Sequence, residues 1–382
     1  MRILLLNHNI VWSGGTFFRA FHFGRELARR GHDVSLLAIS RRRLLTFEIE
    51  SRDGLRVVGC PDLLWGRGRT GWDGWDTLRR ILWVRRREWD VVHAFDCRPA
   101  VILPALTARA PLVLDWADWW GRGGTIEERT TGTIVRTLIG PLETWFEEAF
   151  RTRAAATTVI SSALEQRAIA LGVRPETILR LPQGCDTEGI VPRERNASRE
   201  LLGLTFNGPF VGYLGVLNRS DAQLLFETWS FVREARPDAR LMLIGNPKVE
   251  VPSDSSIIRT GFVPHEEMLN LIAACDLMLL PLKDTVASRG RWPSKINDYL
   301  AAGKATVATA VGDCRELFAR HTIGQIAPDN AAGMGAVVLA LLDQPERCRL
   351  MGEAARQLAE QELAWPILTE RLIRHYERVT VC

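Results

Sequence analysis

The chain has 382 residues, 46% of them hydrophobic and 25% charged, and a net charge of only +4. That profile belongs to a soluble globular protein of two or three domains; it excludes a disordered chain and a nucleic-acid binder driven by bulk charge. The cations are lopsided, four lysines (Lys248, Lys283, Lys295, Lys304) against 45 arginines, and the 13 tryptophans are many for this length. No apolar run reaches the ~18 residues of a membrane span. The aliphatic stretch in MRILLLNHNI is too short for a signal-peptide core. Seven scattered cysteines without CxxC spacing argue against a disulfide framework or a zinc site, and lead to the expectation of a cytoplasmic protein without metal.

In chain order, Arg2–Ile10 predicts a strand and Ser13-Gly14-Gly15 a turn. Phe17, Phe21, Leu27 and Ala28 recur at helical spacing against Arg25, Arg29 and Arg30; Gly31 stops that helix, and Val34–Ile39 is a second strand. Strand, glycine turn, helix, strand is a βαβ unit and predicts a parallel sheet. Asp90–Phe95, Pro111–Leu114, Thr157–Ile160 and Ile178–Leu181 extend the strand series, with residues 126–171 mostly helical. The pattern then restarts. Phe210–Leu217, Arg240–Ile244, Ile257–Phe262, Leu277–Leu282, Ala305–Ala310 and Gly324–Ala327 read as strands between helices, the first of them Ala222–Arg236, and the polar stretch 187–208 reads as the join. The expectation is an α/β fold of two doubly wound halves facing a cleft: residues 1–187, then 188–362, with a C-terminal helix near 363–382 packing back on the first half.

Gly14-Gly15-Thr16 lies between strand and helix, where small residues let backbone N–H groups approach an anion. A tight turn closing the unit is the alternative, and GxGxxG is absent. In the second half, Arg289, Arg291 and Lys295 surround the start of a helix in which Pro293 suits the first turn and Gly303 the end. Ser294 and the free N–H groups there predict a diphosphate site. Asp298, about one turn (~5.4 Å) inside, predicts hydrogen bonds to a ribose.

Gly245-Asn246-Pro247, TGFVPHEE at 260–267, LIAACDLMLLP at 271–281 and PSKINDYLAAGKATVAT at 293–309 resemble the donor half of the GT-B glycosyltransferases, within them the large family 4 of retaining enzymes. GRELARRGHDVSLLAIS at 24–40, WDVVHAF at 89–95, TTVISSALEQRAIALGV at 157–173 and LPQGCDTEG at 181–189 agree in the other half. The resemblance implies metal-independent, front-face transfer of a sugar from a UDP- or GDP-sugar donor to a sugar or lipid-linked acceptor, with no separate cofactor. It gives Gly14 and Gly15 the approach to the diphosphate and places donor contacts at Gly215, Gly245, Val263, Arg291 and Ser294. It sets Asp298 where relatives hold the ribose with a glutamate. The chain departs from the pattern at Gly290, where relatives have the first glutamate, and at Val216 and Asp221, where relatives clamp the diphosphate with an arginine and a lysine. Arg219 and Lys295 are the expected substitutes for that clamp. Ala117 stands where many relatives carry a histidine. Asp118 beside it is either a catalytic contact to an acceptor or sugar hydroxyl or a structural cap. A non-catalytic nucleotide-sugar-binding protein and an epimerase of the same fold stay open.

His93 reads as a structural histidine near the cleft floor or as a proton carrier. Residues 41–87 hold 12 arginines against six acids, with Trp65, Trp72, Trp75 and Trp83 interleaved. They suit either a peripheral contact with an anionic membrane or a solvated helix packed on its own sheet.

Overall fold

Arg2–Ile10 forms β1, and its aliphatic centre is buried on both faces, as a central parallel strand must be. The computed structural model describes residues 1–42, 45–63, 70–128, 133–217 and 219–380. It contains two units: Met1–Gln183 with Gly290–Trp292 and Trp365–Cys382, and Gly184–Arg289 with Pro293–Ala364.

In the first unit β1, β2 (Asp33–Ile39), β3 (Glu48–Arg52), β4 (Leu55–Cys60), β5 (Val91–Phe95), β6 (Leu112–Trp116), β7 (Ala156–Val159) and β8 (Ile178–Arg180) make one sheet, ordered β3-β4-β2-β1-β5-β6-β7-β8. Among the described residues of this sheet only β3 runs antiparallel to its neighbour. The periodicity did not announce this edge hairpin, because Glu48–Arg52 has no apolar run; its exposed charges are those of an edge strand. The helices are α1 (Gly15–Arg29), α2 (Gly74–Val84), α3 (Pro99–Leu106), α4 (Thr125–Glu128), α5 (Thr133–Glu148) and α6 (Ser162–Ala170).

The second unit holds β9 (Phe210–Leu214), β10 (Arg240–Ile244), β11 (Ile257–Gly261), β12 (Leu277–Leu280), β13 (Thr306–Thr309) and β14 (Gly324–Ala327), all parallel, ordered β11-β10-β9-β12-β13-β14. Its helices are α7 (Arg195–Leu201), α8 (Arg219–Ala235), α9 (His265–Ala274), α10 (Val286–Gly290), α11 (Lys295–Ala301), α12 (Cys314–Arg320), α13 (Ala331–Leu342) and α14 (Pro345–Leu358). The polar stretch expected as a bare join thus contains α7, capped by the Glu194 carboxylate on the N–H groups of Asn196 and Ala197. The expected strand Phe210–Leu217 ends earlier, at Leu214, because Gly215 turns the chain at φ +92°.

α15 (Trp365–Thr380) returns to the first unit, where Trp365, Leu368, Leu372 and Tyr376 share a core with Leu5, Phe17, Phe23 and Leu36. Strand order reverses beside β1 in the first sheet and beside β9 in the second. The carboxyl ends of β1/β5 and β9/β12 are therefore where each sheet leaves a crevice for a ligand.

Candidate functional site

In the second unit, Gly215 follows β9 and Gly245 follows β10, with a backbone hydrogen bond from Gly215 N to Ile244 O (2.7 Å). A Cβ on Gly245, whose φ is +115°, would stand 3.2 Å from the Gly215 backbone, so both position and dihedral require glycine. Lys295 leans over the same point. A Cβ on Gly215 would be 3.4 Å from Lys295 Cε, and Lys295 Nζ sits 5.3 Å from the centre of the Tyr213 ring. The structure thus brings Gly215, Gly245 and Lys295 together at the switch point. Val263, half-buried, follows β11 just before α9.

Asp298 lies in the first turn of α11, half-buried. Burial, with the Asp186 carboxylate adding to it, pushes its pKa up to about 7 against the opposing pull of Lys295 and His265. Motif reading identified Asp298 but not Asp186, whose only sequence signal was the phrase CDTEG. The start of α11 differs from expectation in two ways. Pro293 precedes the cap, Ser294, instead of occupying the first turn. The N–H groups of Ile296 and Asn297, expected to face phosphate, donate to Pro293 O (2.9 Å) and Ser294 O (3.1 Å) in tight local turns. A row of free amides is therefore not what the start of α11 presents; Lys295 is the cation there.

Arg219 opens α8 with its side chain exposed; Asn218 beside it lies outside the described residues. Asp221 is buried and accepts the Lys283 N–H (3.3 Å), which accounts for an acid at a position where relatives carry a lysine.

In the first unit, Gly14 caps α1 with φ +85°, and a Cβ there would stand 2.7 Å from the Asn9 amide. Gly15 faces open space. Asp118, half-buried past the end of β6, has its pKa pushed up to about 6 by burial; Arg291 opposes this, and Asp96, Glu147 and Asp115 reinforce it. Gly290 explains its own departure from the family pattern: a Cβ there would come within 2.8 Å of Trp119 Cβ, and its carbonyl accepts the Ser161 hydroxyl (2.9 Å).

Glu147, which no motif marked, organises the loop before α4. It accepts from Trp116 Nε1 (2.8 Å), Trp120 N (2.8 Å) and Gly121 N (2.6 Å). Asp96 follows β5 at φ +100°, a conformation that strains a residue with a side chain, and its carboxylate stands 3.0 Å from His8 Nδ1. Burial and the nearby Arg98 lower the His8 pKa to about 3.

His93 is structural. Its Nδ1 lies 2.6 Å from the Tyr376 hydroxyl and its Nε2 3.1 Å from Thr158 Oγ1, and burial lowers its pKa to about 3. Thr158 in turn donates to Asp115 (2.6 Å), which pairs with Arg19 through two contacts of 3.0 Å.

Two family models match the chain: a glycosyl transferase 4-like domain over residues 14–184 and glycosyl transferases group 1 over residues 208–344. The chain belongs to the group 1 glycosyltransferases. A GDP-mannose-dependent monoacylated phosphatidylinositol monomannoside mannosyltransferase of Corynebacterium glutamicum is 28% identical over 217 residues; the match takes in 53% of this chain and 56% of that one, about half of each. The MMP α-(1→4)-mannosyltransferase of Mycolicibacterium hassiacum is 24% identical over the full length of both. HepE of Anabaena, solved with UDP-glucose, superposes with a TM-score of 0.72 at 16% identity, covering 98% of this chain and 99% of that one. The fold of this glycosyltransferase is GT-B. Among its described residues no helix is long and apolar enough to cross a membrane.

Proposed function

We propose that this glycosyltransferase moves a hexosyl group from a UDP- or GDP-sugar to a hydroxyl of a sugar or lipid-linked acceptor, with retention at the anomeric carbon. The observation that carries the donor assignment is Lys295 lying over the Gly215–Gly245 junction with Asp298 one turn further along α11. As the glycosidic bond breaks, the leaving nucleoside diphosphate gains negative charge. A fixed ammonium beside two glycines, whose backbones a phosphate can approach closely, meets that charge. Arg219 supplies a second cation, and Asp298 takes the ribose hydroxyls. Ser294, Gly245 and Val263 line the nucleoside. Asp118 accepts a hydrogen bond from a sugar or acceptor hydroxyl. The departing phosphate oxygen takes the acceptor proton, and Lys295 and Arg219 supply the positive charge that a metal would otherwise bring to the diphosphate. The donors named for the C. glutamicum relative and for HepE support this choice of nucleotides.

A thermal-shift panel of UDP-, GDP-, ADP- and TDP-sugars tests the donor class, because a ligand that binds the native state raises its melting temperature. Release of nucleoside diphosphate on adding acceptor then separates a transferase from a binding protein, and turnover without acceptor would point to an epimerase. The double variant Arg219→Ala/Lys295→Ala is expected to lose at least 100-fold in kcat; donor turnover near wild type would remove these two cations from the mechanism.

We place the enzyme in the cytoplasm, at an anionic membrane face reached through α2. Leu78 and Leu82 are exposed there (48% and 45%) and Arg85, Arg86 and Arg87 follow. Of the tryptophans expected to join this contact, Trp83 is buried and stacked on Trp89 at 5.7 Å, Trp72 packs on Phe146, Trp75 is half-buried with the Arg79 guanidinium 5.4 Å from its ring, and Trp65 lies outside the described residues. Salt-sensitive co-sedimentation with phosphatidylglycerol vesicles, lost in Leu78→Ser/Leu82→Ser, is the expected result.

A further inference from the structure

Glu147 stands in the last turn of α5 and is only 4% exposed. Its Oε1 accepts the indole N–H of Trp116 and the backbone N–H of Trp120, both at 2.8 Å, and its Oε2 accepts the N–H of Gly121 at 2.6 Å. All three donors belong to the segment 116–121, so this carboxylate is matched to that segment rather than to its own helix. A buried carboxylate is costly unless it is hydrogen-bonded and paired. Arg167 supplies the pairing, with Nη1 at 3.5 Å from Oε2.

The rings of the same segment are held as well. The Arg167 guanidinium lies 4.2 Å from the Trp119 ring, and that of Arg151 lies 3.7 Å from the Trp116 ring. One turn earlier on α5, Thr144 Oγ1 accepts the N–H of Arg122 (3.0 Å). A Cβ on Gly121 would stand 2.5 Å from Glu147 Oε2, so only glycine lets the backbone come this close. The site takes acceptors alone: three N–H groups converge on two oxygens, and an amide in their place would turn its own NH2 on one of them.

Asp118 lies two residues after Trp116 and two before Trp120, between the two points that Glu147 Oε1 holds. We infer that Glu147 is a positioning residue for the transfer reaction: it clamps the segment 116–121 on both sides of Asp118 and so fixes where that carboxylate meets a sugar or acceptor hydroxyl. This rests on the reading of Asp118 given above and adds to it the group that sets its place. Catalysis is sensitive to such placement, because a shift of about 1 Å in a reacting group costs up to about 100-fold in rate.

A double-mutant cycle of Glu147→Gln and Asp118→Asn tests the inference. The readout is nucleoside diphosphate release from GDP-mannose and UDP-glucose, with methyl and octyl α-mannoside as acceptors. Glu147→Gln alone is expected to lower kcat about 10- to 100-fold with donor KM unchanged, and to lower it no further on the Asp118→Asn background. Glu147→Asp, which keeps two acceptor oxygens, should lose less, and it carries the same cycle if Glu147→Gln does not fold. Hydrogen exchange of residues 117–121, which needs no substrate, should quicken in Glu147→Gln; unchanged exchange overturns the inference. Losses that multiply in the double variant, or a Glu147→Gln enzyme with wild-type kcat, also overturn it, and a loss in Asp118→Asn alone then leaves the reading of Asp118 standing. Wild-type kcat in Asp118→Asn removes that reading and this inference together.

Discussion

Asp298 is a carboxyl group that titrates near neutrality, and that gives it a pH signature. Burial first, then the Asp186 carboxylate, raise its pKa to about 7. Folding therefore favours its protonated form. Its contribution to stability is full at acid pH, below the ordinary carboxylate range, and is lost as pH rises through about 7. Asp298→Asn is expected to melt above wild type at pH 8 and level with it at pH 4. Donor affinity follows the opposite course, because an ionised carboxylate is the better acceptor for ribose hydroxyls. Between pH 6 and pH 8 the donor KM of wild type should fall about tenfold, in step with the ionised fraction, while Asp298→Asn stays flat. A wild-type KM that ignores pH would remove the ribose role. The candidate acid was legible as a carboxylate on a helix after a lysine. Its protonation was not, because Asp186 is more than a hundred residues away in the chain. Gly290 is a similar case: sequence shows a missing glutamate, and only packing shows that Trp119 occupies the space a side chain would need.

Elements were legible where a local pattern repeats. The aliphatic runs of β1, β9 and β12 and the amphipathic face of α1 announce themselves, because burial of a whole strand or of one helix face leaves a regular trace. The edge strand β3 and helix α7 were not legible. One has a single apolar residue, Ile49, among charged and polar ones; the other depends on Glu194 capping its start and on Arg199 reaching Asp276 (2.7 Å). Within the first unit, α1 is tied to β6 through Arg19. Its guanidinium pairs with Asp115 and also donates to Leu181 O (2.8 Å) and Pro182 O (3.0 Å). Burial alone would raise the Asp115 pKa, yet Arg19 and the Thr158 hydroxyl hold it below its ordinary value. Arg19→Met leaves that carboxylate buried without its partner. The expected cost is about 3–5 kcal/mol, measured as a lower urea midpoint; a loss under 1 kcal/mol would mean that water replaces Arg19 at this site.

At the scale of the whole molecule, the first unit is built from both ends of the chain. Trp365, Leu368, Leu372 and Tyr376 are each at most 2% exposed in its core. Burying four such side chains contributes roughly 6–12 kcal/mol, comparable with the entire net stability of a domain. Truncation after Ala364 is therefore expected to abolish cooperative melting of the first unit and to yield aggregated protein. A truncated chain that melts like wild type would show that α15 adds little.

Composition and local pattern were enough to determine two largely parallel α/β sheets and the glycine turns at their carboxyl ends, because backbone geometry and strand burial are written within a few residues. The tryptophans within residues 41–87 suggested a membrane contact; in the structure Trp83 is buried. The tertiary structure alone decided which side chains face water, which carboxyl groups keep a proton, and that the last helix completes the first core. Each of these depends on desolvation and charge contributed by residues distant in sequence, which no local pattern records.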